Sequence, residues 1–319
     1  MTPSKQSLPV WAALLGSGVA GTLVALQSRV NGGLSQELGN GYVTAAVSFG
    51  SGLVIMVLAV VVSARGRRGI HKLRTELASK HLPIWALTGG LCGAFFVLGQ
   101  GLVAPLLGLA LFTVGIVGGQ VLGGLVIDKV GLGPGGKVRP SPQRLIGTVL
   151  AIVAVVLSVL ADLSTPGGES PKLWLVLIPV AAGLAIAWQS AVNGLVRSAS
   201  QSATAATFVN FLVGTAVLVL AASVSVGLQG WPQTWPSEPW YYVGGFVGTI
   251  FIGVAAMLVR AAGVLLLSMS NVAGQLIASV AFDAGIPLAG GVTPGLLAGA
   301  AVALLAVTIA ALPRRSTRG

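Results

Sequence analysis

The sequence predicts an all-α integral membrane protein whose ten transmembrane helices form two inverted five-helix repeats. Three observations lead there: an extreme apolar composition, regularly recurring apolar runs, and an internal duplication. Of 319 residues, 55% are hydrophobic and 8% charged, with a mean hydropathy of +0.93. That leaves too little polar surface to coat a soluble globule of this size. A transmembrane β-barrel would show short segments of alternating polarity, whereas the run 145–161 is apolar on every face.

A bilayer core of about 30 Å needs roughly 20 apolar residues per helix. Runs of that length are predicted at residues 10–34, 42–64, 83–103, 106–127, 144–161, 173–195, 204–226, 241–259, 261–282 and 292–312. The first follows Lys5 and resembles a signal peptide, but cleavage near residue 25 would remove an element whose counterpart is kept mid-chain, so it is read as an uncleaved span. The second ends in the basic stretch RGRRGIHKLRTELASK. The third carries Cys92, the single cysteine, which excludes an intrachain disulfide and Cys-based metal clusters. After the fourth comes GLGPGGK, which lacks the Lys-Ser/Thr pair and flanking strand of a phosphate loop and is read as a cytoplasmic loop. Pro105, Pro179 and Pro287 are expected to kink or end helices.

The net charge of +11 would suggest nucleic acid in a soluble chain. Here its distribution is a topology signal. With the N-terminus inside, ten spans put 16 of the 18 Lys and Arg residues on the cytoplasmic side, leaving Arg29 and Lys172 outside. Both termini are therefore expected to be cytoplasmic, in a multi-pass protein of the inner (plasma) membrane.

The duplication begins with ALQSRVNGGL from residue 25 and AWQSAVNGLV from residue 187, at an offset of 162. At that offset Gly21 pairs with Gly183, Phe49 with Phe211, Gly52 with Gly214, and Ser48 faces Asn210. Past the next loop the offset is 155, pairing Gly89, Gly90 and Gly93 with Gly244, Gly245 and Gly248, then Gly119, Gln120 and Asp128 with Gly274, Gln275 and Asp283. Gly147 pairs with Gly299 at 152. The offset changes only in loops. The repeats are thus 1–165 and 166–319, and five spans each means that the second enters the membrane in the opposite sense, as in alternating-access transporters.

Gln-x-x-x-Asn closing the first span of each half, with GGQVLGGLVIDKVG ending the fourth, resembles the drug/metabolite transporter (EamA-like) superfamily. Within it the chain is similar to the YdcZ-like branch of inner-membrane exporters, in a fused ten-span form. The resemblance implies the ten-helix fold and a transport role, without naming a substrate.

Gln27 and Asn31 are four apart and share a helix face, as do Gln189 and Asn193. Amides in lipid need partners, so these faces turn inward, either as interhelical glue worth about 0.6 to 2 kcal/mol or as a substrate-facing cluster. With Ser48, Asn210, Gln120 and Gln275 they form the candidate substrate-binding set, and Trp188 is a candidate aromatic wall. Asp128 and Asp283 each oppose the macrodipole at a helix C-terminus. They are candidate coupling or gating residues, against a structural reading as a salt bridge or loop anchor with Lys129 or Arg144 as partners for Asp128. No acidic residue lies deep in a span, which argues against a cation/proton antiporter. Arg29, at the outer end of a span, is read as an anion attractor or a snorkelling side chain. Glycines spaced four apart, as at Gly115, Gly119 and Gly123, favour close helix approach.

The expected function is a secondary-active transporter, in the sense of an exporter, of a small neutral or zwitterionic metabolite or drug-like molecule. A lipid flippase or passive channel is the alternative. An enzyme is disfavoured because the two histidines, His71 and His81, lie in one basic loop. The expected partners are a small-molecule substrate and the bilayer, with no nucleic acid, cofactor or metal, in a monomer or homodimer.

Overall fold

The computed structural model describes residues 10–132, 136–137, 141–163, 173–251, 264–289 and 291–312. Among these residues there are helices and no strands. Six helical stretches are long and apolar enough to cross a membrane: Gly41–Val62, Ile84–Leu102, Leu109–Val130, Pro142–Leu160, Trp174–Ser200 and Ala203–Gln229, with a shorter apolar one at Pro294–Ala310. The end of the eighth span expected from sequence, and the start of the ninth, lie outside the described residues, as do Lys5, Arg139, Lys172, Arg260 and the basic residues after Leu312.

In chain order the helices are α1 (Val10–Leu38), α2 (Gly41–Val62), α3 (Ala64–Ala78), α4 (Gly89–Leu102), the single turn α5 (Ala104–Leu107), α6 (Leu109–Val130), α7 (Pro142–Leu163), α8 (Leu177–Ser200) and α9 (Ala203–Gln229). The helical residues 244–251 form α10, followed by α11 (Val264–Gly285) and α12 (Pro294–Ala311). Local chemistry sets several starts. Asn40 accepts from the backbone N–H of Tyr42 and Val43 at 3.1 Å to begin α2, and Ser202 accepts from Ala205 at 3.2 Å to begin α9. Asn40 and Ser202 are themselves 162 residues apart. Pro105 and Pro294 sit in the first turns of α5 and α12, Pro179 in the first turn of α8, and Pro287 beyond the end of α11, where a missing N–H costs least.

α3 is amphipathic. Gly66, Gly69 and Leu73 are buried towards α8 and α9, while Arg65, Arg67, Arg68, His71, Lys72 and Arg74 are exposed. The large helices are the reverse of a soluble protein, exposing Val54, Leu58 and Val61 on α2 and Ile146, Val149 and Val153 on α7. Such faces belong against lipid.

Helices pair through glycines that leave no room for a side chain. α1 packs on α11 where Gly21 meets the Asn271 carbonyl and Gly274 meets that of Gly18. α6 packs on α8 where Gly183 meets the Ile116 carbonyl and Gly119 meets that of Val180. These two contact sets are the same set in the numbering of the duplication. α2 and α9 cross with the Phe211 ring on Gly52 and the Phe49 ring on Gly214. α7 and α12 meet where Gly147 approaches the Ala306 carbonyl and Gly299 approaches Ser158. Residue numbers run in opposite senses where α2 meets α9 and where α7 meets α12, so these two pairs are antiparallel, whereas they rise together from Gly115 on Pro179 to Gly123 on Ala187 and from Leu14 with Ser270 to Gly18 with Gly274, so α6/α8 and α1/α11 are parallel.

Candidate functional site

At the centre of the bundle is a cavity of about 220 Å³. Its lining contains Val24 with Ile186, Gln27 with Gln189, Phe49 with Phe211, Gly93 with Gly248, Phe96 with Phe251, and Gln120 with Gln275. Each of these pairs occupies equivalent positions of the duplication, so the cavity sees the same face of both halves. Val97, Ser190, Asn193 and Asn210 complete the described lining, and Ser28, Asn31 and Ser48, the counterparts of the last three, are not part of it.

The amides are held differently in the two halves, Gln27 by the other half and Gln189 and Asn193 by their own. Gln27, 3% exposed, donates from Nε2 to the Gly244 carbonyl at 3.0 Å. In the second half, Gln189 and Asn193 both donate to Asn210 Oδ1, at 3.1 and 3.2 Å. Both sets lean on glycines of a facing helix, Gly244 and Gly248 for the first and Gly89 and Gly93 for the second. Any larger residue there would collide with the amides. Gln120 and Gln275 have no hydrogen-bond partner among the described residues, and Gln275 is 2% exposed.

Six of the nine candidate substrate residues therefore line one cavity. Asn31 and Ser48 do not. Asn31 Nδ2 donates to Gln100 Oε1 at 2.7 Å, and Gln100 Nε2 donates to Ser28 Oγ at 2.7 Å, drawing Asn31 into a buried chain behind the wall. Asn31 Oδ1 and Ser48 Oγ are buried without a partner, facing Gly244. The asymmetry has a cause in the sequence, since the position equivalent to Gln100 is Ala255. Trp188 also lies off the cavity, donating from Nε1 to Thr88 Oγ1 at 2.9 Å and packing on Trp85 at 5.8 Å between ring centroids. The aromatic wall is instead Phe49 and Phe211, 5.0 Å apart, with Phe96 and Phe251.

Asp128 and Asp283 lie outside the cavity and apart from one another. Asp128 forms an ion pair with Arg144. Asp283, 2% exposed, accepts from the backbone N–H of Leu109 at 3.1 Å and Ala110 at 2.7 Å. It thereby sits on the positive end of α6, which offsets its unfavourable place at the end of its own helix. Arg29 donates from Nε to the Ile286 carbonyl at 2.7 Å and Gln36 to that of Leu288 at 2.8 Å, tying α1 to the loop after α11. No group of three or more His, Cys, Asp or Glu able to hold a metal occurs among the described residues.

Sequence reasoning missed Gln100, Phe96 and Phe251. Gln100 carries its own signal, a lone amide in an apolar run. Phe96 and Phe251 share the 155 offset, which singles them out from other phenylalanines.

A family profile described as "Putative inner membrane exporter, YdcZ" matches residues 12–157 and 174–312. The chain belongs to this family. It is accordingly a multi-pass membrane protein of an exporter family, and the two matched regions of this YdcZ-family chain are of nearly equal length. No curated protein matches it. A solved structure, described only as the crystal structure of a protein, covers 94% of this chain and 95% of its own, with 18% identity and a TM-score of 0.56. At that identity the likeness carries the fold alone.

Proposed function

We propose that the protein is a secondary-active exporter of a small neutral or zwitterionic molecule, working by alternating access between two five-span halves of opposite orientation. The observation that carries this reading is the central cavity, lined by equivalent residues of both halves. Reciprocal contacts such as Gly21 on Asn271 and Gly183 on Ile116 support a two-fold relation between the halves. The antiparallel crossing of the equivalent helices α2 and α9 supports an axis perpendicular to them, hence in the membrane plane. Two halves exchangeable in shape can swap conformations, and the swap opens the shared cavity to the opposite side.

The amides Gln27, Gln189, Asn193, Asn210, Gln120 and Gln275 bind substrate in this reading, and the absence of a charged side chain from the described lining supports a cargo without net charge. Asp128 and Asp283 act as structural ties at the membrane edges. Comparing metabolite accumulation in cells with and without the protein selects substrates. Substrate-stimulated counterflow of the selected compounds in proteoliposomes then tests the mechanism: a carrier shows counterflow, and flux without it means a channel.

A further inference from the structure

We propose that the cavity takes a compact, neutral molecule with one flat apolar face and an edge offering both a hydrogen-bond donor and an acceptor, such as an aromatic amide or lactam. The proposal rests on the exporter reading and narrows its substrate class.

The first argument is which equivalent pairs line the cavity. α2 and α9 cross at Phe49 and Phe211, equivalent residues 5.0 Å apart. Gln120 on α6 and Gln275 on α11, also equivalent, line the same cavity, and their helices are joined by Thr113 and Ser279 at 2.7 Å. The cavity thus presents one related pair of phenylalanines and one related pair of carboxamides.

The second argument is which polar groups are free. Gln27 is committed to the Gly244 carbonyl, and Gln189 and Asn193 to Asn210. Gln120 and Gln275 alone among these amides have both donor and acceptor unanswered. A carboxamide that faces the cavity with both ends unanswered is the group a ligand can pair without displacing a protein partner. An amide edge does so in one plane, accepting from Nε2 while donating to Oε1.

The third argument is what the walls reject. No acidic or basic side chain is among the described lining residues. A cation, an anion or either pole of a zwitterion would lose hydration there without a counter-charge. Volume sets the last limit, because 220 Å³ lies below the roughly 300 to 1,000 Å³ of pockets for drug-sized ligands. A single ring with one amide fits, with its face against the phenylalanines.

The test uses the purified full chain in lipid nanodiscs for binding and in proteoliposomes for counterflow. The probes are benzamide, benzoate, benzylammonium and zwitterionic phenylalanine. Benzamide is expected to bind and exchange, with the three charged probes weaker by about a hundredfold or more. Gln120→Met and Gln275→Met together are expected to weaken benzamide by about 30-fold, for two lost hydrogen bonds of about 1 kcal/mol each. The same substitutions should leave the melting temperature of the empty protein nearly unchanged, since neither amide holds a protein partner, whereas packing glue would lower it. Counterflow of a charged probe in preference to benzamide overturns this substrate class and leaves the exporter reading intact. Saturable benzamide binding that the Met variants abolish, with no counterflow, supports the site and sinks the exporter reading. If none of the probes binds, or the Met variants bind benzamide unchanged, the proposal is overturned.

Discussion

At the residue scale, the protein treats its buried amides unequally. Asn210 Oδ1 receives two donors, so Gln189→Leu or Asn193→Leu each removes one hydrogen bond and leaves the other. Membrane side-chain hydrogen bonds are worth about 0.6 kcal/mol on average. Both variants are thus expected to lower transport while membrane insertion and melting temperature stay nearly intact. Asn210→Leu strands both donors and is expected to lose about 1 to 2 kcal/mol of stability. Counterflow and thermal unfolding measured on the same purified variants decide it, and unfolding of Gln189→Leu in proportion to its lost transport would return these residues to a structural role.

At the element scale, helix pairs close through backbone contact, which makes glycine position decisive. Gly183→Ala and Gly21→Ala each drive a methyl into a facing carbonyl, and each is expected to cost about 1 to 3 kcal/mol. Gly124 has open space where a Cβ would point, so Gly124→Ala is expected to leave stability unchanged or raise it slightly. Denaturant unfolding of the three variants tests the pairing, and equal loss at residues 21 and 183 is the mark of equivalence. A second tie between elements is Asp283, which bridges α11 to the start of α6. Asp283→Asn keeps one acceptor oxygen and is expected to cost about 1 kcal/mol without moving the pH profile of transport. A shifted profile would instead make Asp283 a coupling group.

At the scale of the whole molecule, the distribution of basic residues and the exposed basic face of α3 predict which side is cytoplasmic. On a Cys92→Ser background, a cysteine at Lys72 is expected to react with impermeant reagent from the cytoplasm and one at Glu238 from the outside only. Labelling of residue 238 from the cytoplasm would sink the ten-span orientation and, with it, the opposed halves.

The sequence by itself determined the class of solvent, the helical fold and the duplication, because each rests on composition or on spacing along the chain. It also singled out Gln27, Gln189, Asn193, Asn210, Gln120 and Gln275, since an amide in an apolar run must turn away from lipid. What it left open was decided by partners distant in the chain. Asn31 shares a helix face with Gln27, yet Gln100, 69 residues away, draws it out of the cavity. Trp188 is drawn off by Trp85 and Thr88. Phe96 and Phe251 reach the cavity although, taken singly, a phenylalanine in a span suits lipid and core equally. Asp283 is tolerable only because the start of α6, more than 170 residues earlier, lies against it. Periodicity tells which way a side chain points from its own helix; only tertiary packing decides what waits there, because that depends on the helices brought alongside.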